Sequence, residues 1–287
     1  MDTISSIDTT LIEWVDEKIP LRRLEVGERV FSYRVQGPEN GPVIALLHGI
    51  GSASGSWAHQ LGNLSGQYRV VAWDAPGYGA SSSLLGETPS AADYAAALGD
   101  FFAGMNVVPE ILIGHSLGAL MAGAYAGDGG IIGKALILAN PANGYGAAEE
   151  SIRNEKLSAR LGNMEKLGPE GLADARASAL LSDDASPEAL EMVRWNMSKL
   201  RIEGHAQAAH MLAGGNLISD AQKYSGRVLV MCGAEDTVTP EAGCRKIADA
   251  YPNAEYLTLP GVGHASYVEN PDQFDQFVLD FVGGGDA

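Results

Sequence analysis

Short apolar runs alternate with stretches of helical periodicity along the first 140 residues of the chain. Apolar runs of this length are typical of strands buried on both faces of a sheet, and they lie at residues 42–47, 68–73, 110–113 and 134–139. Helical stretches occupy 91–105 and 117–126, and residues 21–26 and 29–36 indicate an opening antiparallel pair. Because strands joined through helices pair in parallel, the pattern predicts an α/β fold with a mostly parallel central sheet flanked by helices.

The pattern changes between residues 142 and 224, where the strand-like runs disappear. This segment is rich in Ala, Leu, Met, Glu and Arg at helical spacing, with breaks at Gly168-Pro169 and Ser186-Pro187. The alternation then resumes, with strands predicted at 227–232 and 255–259 and helices at 241–251 and 271–282. We therefore expect a core domain formed by residues 1–141 and 225–287, with residues 142–224 inserted as a helical cap, or lid.

Acidic residues outnumber basic residues by 36 to 19, which gives a formal net charge of −17. A field of this sign repels nucleic acid and anionic membranes, although one arginine in a pocket can still attract an anionic substrate. No apolar run is long enough to span a membrane, and residues 1–20 carry acidic side chains where a secretory signal has basic ones. We expect a cytoplasmic protein with a small-molecule substrate and with Cys232 and Cys244 as free thiols. Homo-oligomer formation is left open.

The strongest chemical signal is the motif G-x-S-x-G at residues 114–118, directly after a buried strand and directly before a helix. A strand-to-helix turn this tight strains the backbone of the central serine, and small neighbours relieve the crowding. Such a turn lifts the hydroxyl of Ser116 clear of the sheet, and the following helix directs free N–H groups towards a developing oxyanion. The sequence therefore predicts Ser116 as a nucleophile.

A serine hydroxyl needs a base to accept its proton. His264 follows the last predicted strand in the glycine-bordered loop Pro260-Gly261-Val262-Gly263, and loops after parallel strands gather at one sheet edge. We select His264 as this base. The remaining histidines lie beside the serine, at a strand end, on a predicted helix or in the helical insertion; they are His115, His48, His59, His205 and His210.

The base in turn needs a carboxylate that fixes its tautomer. Asp236 follows the strand predicted at 227–232, at the same sheet edge, and we prefer it to its neighbour Glu235 because the shorter side chain suits a tight turn. The other place for such a carboxylate, after the strand predicted at 134–139, holds Asn140. Asp236 is therefore the predicted acid.

The loop Leu47-His48-Gly49-Ile50-Gly51 ends the strand predicted at 42–47. One of its backbone N–H groups, together with the amide of Leu117, could form an oxyanion hole facing Ser116. A dinucleotide fingerprint is excluded because its third glycine is missing, with Ser54 in that position. No spacing typical of a metal, pyridoxal phosphate or nucleotide site is present, so we expect neither a cofactor nor a metal.

Taken together, these residues resemble the α/β-hydrolase family over nearly the whole chain apart from the insertion. Residues 74–81 are similar to the family's D-x-P-G-x-G-x-S turn, and Gly263-His264 with residues 268–271 resembles its G-H…x-E-x-P ending. The order Ser116, Asp236, His264 is also the family order. The resemblance implies that Ile50, which follows His48-Gly49, donates the second oxyanion N–H.

Within that family the chain is most similar to enol-lactone hydrolases and to C–C hydrolases of aromatic ring-fission products. The C–C hydrolases typically carry Asn where this chain has His115 and Trp where it has Ala265. We therefore expect a serine hydrolase of small carboxylic esters, lactones or amides, with C–C hydrolysis of a vinylogous diketone acid as the alternative. A ligand-binding protein on the same fold is a third possibility. Candidate substrate contacts are Gly49, His115, Trp195, His210 and Met211.

Overall fold

The central sheet of the computed structural model has eight strands in the part of the chain that it describes, residues 10–284. The strands are β1 (Arg22–Val26), β2 (Arg29–Gln36), β3 (Val43–Leu47), β4 (Arg69–Trp73), β5 (Pro109–His115), β6 (Ala135–Ala139), β7 (Val228–Gly233) and β8 (Ala254–Leu259). Their order is β1-β2-β4-β3-β5-β6-β7-β8, and β2 runs in the direction opposite to that of the other described strands. The predicted α/β fold with a mostly parallel sheet is confirmed.

Helices cover both faces of this sheet. They are α1 (Leu11–Lys18), α2 (Ala58–Asn63), α3 (Ala91–Met105), α4 (Leu117–Gly127), α5 (Glu150–Arg176), α6 (Pro187–Ser198), α7 (Ile202–Gly214), α8 (Leu217–Ala221), α9 (Glu241–Ala250), α10 (Ser266–Glu269) and α11 (Pro271–Gly283). Every residue of β3, β6 and β7 is buried, which is why their sequences are continuous apolar runs without alternation. No helix within residues 10–284 is long and apolar enough to cross a membrane.

Helix α1 was not predicted from the sequence, because its acidic segment has only a short apolar face. Thr10 and Glu13 form a capping box at its N-terminus. The buried guanidinium of Arg34 on β2 donates to the carbonyls of Val15 and Ile19 near the C-terminus of the helix and pairs with Asp16 at 2.5 Å. The Val15 carbonyl also accepts the Ile19 amide, so the arginine adds a second donor there and attaches α1 to the sheet.

A neck of two adjacent segments, residues 143–146 and 215–218, joins α5, α6 and α7 to the sheet. The Gly146 amide donates to the Gly215 carbonyl at 2.7 Å, and the Leu217 amide donates to the Asn143 carbonyl at 2.9 Å. Residues 147–214, called the helical insert below, therefore leave and rejoin the chain at one place. Helix α8 begins within the neck and packs against α4 and α9 of the sheet layer, although it falls inside the segment 142–224 that the sequence assigned to the cap.

Helix α5 is broken inside the helical insert. Gly168 has φ 64° and ψ 178°, a conformation that side chains other than hydrogen disfavour, and Pro169 begins the second half. The break divides the helix into two parts. It lies where the Gly-Pro pair had indicated an interruption.

Asp275 on α11 provides a pH-dependent contribution to the stability of the fold. Its buried carboxylate accepts hydrogen bonds from Gln60 at 3.0 Å and Asn63 at 2.9 Å, which join α11 to α2. Burial nevertheless raises the pKa of Asp275 to about 6, since these bonds offset the desolvation only in part. A carboxyl with a raised pKa contributes stability at pH values below its unfolded pKa, and that contribution is lost as the pH rises through about 6.

We therefore expect Asp275→Asn to increase the free energy of unfolding at pH 8, by on the order of 1–2 kcal/mol, and to have no such effect at pH 4. Chemical denaturation of both proteins at the two pH values measures this difference. Asp280→Asn, at an exposed position on the same helix, is the matched control and should change little. A gain of equal size at both pH values would contradict the assignment to Asp275.

Candidate active site

Ser116 occupies a strained turn between β5 and α4. Its φ of 51° and ψ of −113° lie outside the regions that a serine normally adopts. The neighbouring glycines allow this turn, because a Cβ on Gly114 would clash with the Gly118 carbonyl oxygen and one on Gly118 would clash with that of Leu47. The Ser116 amide donates to the Ala139 carbonyl of β6 at 3.0 Å, which attaches the turn to the sheet edge.

Three side chains that the sequence selected separately form one hydrogen-bonded chain. The Oγ of Ser116 lies 2.9 Å from Nε2 of His264, and Nδ1 of the same imidazole lies 2.9 Å from Oδ2 of Asp236. All three side chains are buried, and that of Asp236 has no exposed surface. In this geometry the imidazole can accept the serine proton while the carboxylate holds the other nitrogen protonated.

The surroundings of Asp236 keep it ionised. Its Oδ1 accepts the amides of Val238 at 2.7 Å and Thr239 at 2.8 Å, and its Oδ2 accepts the Thr239 hydroxyl at 2.7 Å. Burial by itself would raise the pKa of Asp236, but the hydrogen bond and charge of His264 and the bonds from Thr239 outweigh it and hold the pKa well below its ordinary value. The carboxylate can therefore stabilise an imidazolium throughout the neutral pH range.

Asn140 also contacts Asp236, a contact that was not predicted from the sequence. Asn140 directly follows β6, and sequence analysis showed only that this position holds no carboxylate. Its side-chain amide donates to Oδ2 of Asp236 at 2.8 Å, and its Oδ1 accepts the hydroxyl of Ser266 at 2.7 Å. The backbone φ of 47° is left-handed, which asparagine tolerates better than most residues. Asn140 thus connects the carboxylate to the helix that follows His264.

Removing this amide should weaken catalysis without weakening substrate binding. A hydrogen bond to a charged group contributes roughly 1.5–3 kcal/mol, so we expect Asn140→Gly to lower kcat by roughly 10- to 100-fold at an unchanged KM. Glycine is chosen because it accepts the left-handed backbone without strain. Steady-state kinetics with any hydrolysed ester measure the split. A variant with wild-type kcat would show that Asn140 has a purely structural role.

The loop after β3 approaches the serine closely. A Cβ on Gly49 would lie 3.1 Å from Nδ1 of His115 and 3.2 Å from Cβ of Ser116, so any larger residue would require these neighbours to shift. Next to it, the amides of Ile50 and Leu117 have no hydrogen-bond acceptor among the described residues, although the Ile50 carbonyl accepts the Tyr78 hydroxyl at 3.0 Å. Two free N–H groups beside a serine hydroxyl are the arrangement that stabilises a tetrahedral oxyanion.

His48, which sequence analysis placed at a strand end, orients the peptide that carries the Ile50 N–H. The Ala75 amide donates to Nε2 of His48 at 3.0 Å, so the proton of this imidazole lies on Nδ1, which donates to the Gly49 carbonyl at 2.8 Å. The carbonyl and the N–H of a trans peptide point in opposite directions. The bond from His48 therefore turns the Ile50 N–H away from His48.

His115 lies next to the serine but contacts a different part of the histidine loop. Its Nε2 donates to the backbone carbonyl of His264 at 2.8 Å, and its ring packs against Tyr267 and Trp57. Burial, together with the nearby charge of His264, lowers the pKa of His115 to about 3. His115 is therefore neutral, and it supports His264 through the backbone rather than acting as a second base.

A cavity of about 760 Å³ opens above the serine, between the sheet edge and the helical insert. Ser116, His264, Gly49, Ile50 and His115 line its floor. Its other walls come from the neck, from α5, α6 and α7, and from the loop that carries Asp236. This volume suits a small organic substrate.

Three of the predicted substrate contacts do not line this cavity among the described residues. On α6 the lining residues are Val193 and Met197, one turn apart, whereas Trp195 points to another face and packs against Gly55. On α7 the lining residues are His205 and Leu212, two turns apart, so His210 and Met211 face elsewhere. Trp195, His210 and Met211 therefore lie outside the cavity lining, since side-chain type alone does not fix which helix face turns inwards.

A sequence model described as the alpha/beta hydrolase family matches residues 44–277. The chain is 28% identical over 280 residues to the dihydrolipoyllysine-residue acetyltransferase component of an acetoin cleaving system from Pseudomonas putida. That alignment covers 91% of this chain and 69% of the other protein. It is 25% identical to a candidate carbamate hydrolase, RutD, of Escherichia coli, over 84% of this chain and 88% of that one. The enol-lactonase of Burkholderia xenovorans superimposes with a TM-score of 0.82 at 25% identity, over 91% of this chain and 100% of that chain. With most of its length matched by the family model, the chain belongs to the alpha/beta hydrolase family.

Proposed function

We propose that this protein hydrolyses a small carboxylic ester, lactone or amide by acyl transfer to Ser116. The observation that carries the proposal is the unbroken chain of 2.9 Å contacts from Ser116 through His264 to Asp236, on the floor of a cavity. The names of two relatives, a carbamate hydrolase and an enol-lactonase, both describe the hydrolysis of an acyl–heteroatom bond. They favour the same bond class for this chain.

The proposed reaction has two steps. His264 accepts the Ser116 proton as the hydroxyl oxygen attacks the substrate carbonyl, and the Ile50 and Leu117 amides hold the resulting oxyanion. The tetrahedral intermediate collapses, the protonated imidazole gives its proton to the leaving group, and an acyl-serine remains. His264 then takes a proton from water as the water oxygen attacks the acyl carbon, and it returns that proton to Oγ of Ser116 as the acyl–Oγ bond breaks and the acid leaves. This sequence of steps needs no cofactor.

We also propose that the helical insert acts as the lid of this site. It supplies one side of the cavity through residues of α5, α6 and α7, among them Val193, Met197 and Leu212. These apolar side chains share the wall with basic side chains of α5, so a substrate would be enclosed between the insert and the reacting centre. Substrate preference then depends on the insert, whereas the reaction depends on the sheet edge.

A fluorophosphonate probe tests the proposal directly. It should label Ser116 covalently in the wild-type protein, and peptide mass spectrometry identifies the labelled residue. A panel of p-nitrophenyl esters of increasing length, enol lactones and a coloured ring-fission product then separates the bond classes. Bleaching of the ring-fission product without ester hydrolysis would favour C–C cleavage. The absence of labelling and of all turnover would favour a ligand-binding role.

A further inference from the structure

The charges around the cavity differ from those of the rest of the molecule. Acidic residues outnumber basic ones by 36 to 19 in the chain, yet no Asp or Glu lines the cavity among the described residues. Three basic side chains, Lys156, Arg160 and Arg176, do line it, all from α5. The carboxylate of the site, Asp236, is fully buried behind His264. The cavity is therefore an electropositive region inside a strongly acidic protein.

Arg160 is the basic side chain most firmly held at this cavity. Its guanidinium donates to the Lys156 carbonyl at 3.1 Å and to the Tyr145 hydroxyl at 3.4 Å, and it lies 5.4 Å from the centre of the Tyr145 ring. It is partly buried and forms no ion pair with a carboxylate of the described chain. A guanidinium has five N–H donors, and most of those of Arg160 have no partner among the described residues.

His205 on α7 adds a neutral polar group to the same wall. Burial and, after it, the positive charge of Arg160 lower the pKa of His205 to about 4, so the imidazole carries no charge near neutral pH. It lines the cavity, and its Nδ1 has no hydrogen-bond partner among the described residues. Arg160, Tyr145 and His205 thus combine one fixed positive charge with neutral hydrogen-bonding groups, which suits a carboxylate.

We propose that the substrate carries a free carboxylate besides the bond that is cleaved, and that Arg160 binds it. The inference rests on the proposed function, since it identifies the class of ester or lactone that Ser116 attacks. A net charge of −17 repels anions in general, so an anionic substrate needs a local cation to enter the cavity. Salt screens the exposed charges of the protein surface, whereas it screens a cation in a partly enclosed cavity much less.

Matched pairs of esters test this inference. The p-nitrophenyl monoesters of succinic, glutaric and adipic acids differ from the butyrate, pentanoate and hexanoate esters only by a terminal carboxylate in place of a methyl group. After subtraction of spontaneous hydrolysis, kcat/KM should favour the carboxylate member of at least one pair by roughly 10- to 100-fold, as expected of a charge-assisted hydrogen bond. If kcat/KM does not favour the carboxylate ester in any pair, the inference is overturned.

The Arg160→Gln variant assigns the effect to one residue. It should lower the ratio of kcat/KM for the anionic over the neutral ester to about one, chiefly through a higher KM for the anionic ester. Arg153→Gln is the matched control, because Arg153 lies on the same helix and does not line the cavity. It should keep the wild-type ratio. A wild-type ratio retained in Arg160→Gln would overturn the assignment.

A measurement on the wild-type protein guards against a misfolded variant. Free adipate should inhibit hydrolysis of a neutral ester competitively, and its uncharged analogue adipamide should inhibit at least tenfold more weakly. Equal inhibition would count against the carboxylate subsite.

The proposed function and the proposed carboxylate subsite fail in different ways. If neutral esters are hydrolysed and Ser116 is labelled but no anionic preference is seen, only the present inference fails. If neither series is hydrolysed and Ser116 is not labelled, the proposed function itself fails.

Discussion

Replacement of Ser116 by alanine is expected to lower kcat by roughly four to six orders of magnitude, because the nucleophile and its hydrogen bond to His264 are lost together. Residual turnover should reflect binding and the free amides of Ile50 and Leu117 alone. Single-turnover kinetics with the best ester of the panel measure the loss, and fluorophosphonate labelling should disappear in parallel.

The fold should survive this substitution, since the strained turn is held by its backbone and by the flanking glycines. Thermal denaturation checks that point. Ser219→Ala, at an exposed position on α8 away from the cavity lining, is the control and should keep wild-type kinetics. If Ser116→Ala retained substantial activity, a serine nucleophile would have to be abandoned.

The second large effect is expected at the carboxylate. Asp236→Asn should lower kcat by roughly 10³- to 10⁴-fold with little change in KM, because an amide cannot stabilise an imidazolium and favours the wrong tautomer of His264. Glu235→Gln is the matched control: the residue is adjacent in sequence but exposed, and it makes no side-chain contact with His264. Its kinetics should be close to those of the wild type.

The contrast between these two variants decides the assignment. Steady-state kinetics across the pH range separate a loss of kcat from a loss of binding. A crippled Glu235→Gln with an active Asp236→Asn would move the acid by one residue. Two active variants would mean that His264 is oriented by another group, for which Asn140 and Thr239 are the neighbours in contact with the site.

The sheet and most helices could be predicted because each depends on local pattern. The predicted runs differ from the observed strands β3 to β8 by at most two residues at either end, and the predicted helix 91–105 coincides with α3. Burial on both faces makes such strands uniformly apolar, so their signal does not depend on what packs against them. The three residues chosen for the site follow strands, and parallel strands bring their carboxyl ends to one edge.

The supporting contacts could not be predicted in the same way. Asn140 meets Asp236 only because β6 and β7 are neighbours in the sheet, and an asparagine directly after a strand is equally typical of an ordinary turn. The role of His48 depends on an amide 27 positions away in the chain, that of Ala75. Such bonds join segments whose relative position is a property of the folded chain, and no local periodicity records them.

The orientation of the helices in the insert could not be predicted from the sequence either. His205 and His210 lie on one helix, and only the first faces the cavity. Five residues correspond to a rotation of about 140°, so the two side chains are on different faces. One apolar face of such a helix lines the cavity and another packs against neighbouring helices. The sequence does not show which of the two faces the cavity. The same ambiguity hid Arg160 among the five arginines of the segment.

Because the neck formed by residues 143–146 and 215–218 brings its two ends together, the helical insert can be replaced as one unit. The bonds of the neck involve its own residues, with Gly144 and Gly146 allowing the close approach, so they do not depend on the sequence of the helices between them. Because the ends already meet, each doubling of the intervening length adds only about 0.6 kcal/mol of closure entropy. A relative can therefore acquire a longer, shorter or differently charged insert in one recombination event, and its substrate range can change while the residues at the sheet edge stay as they are.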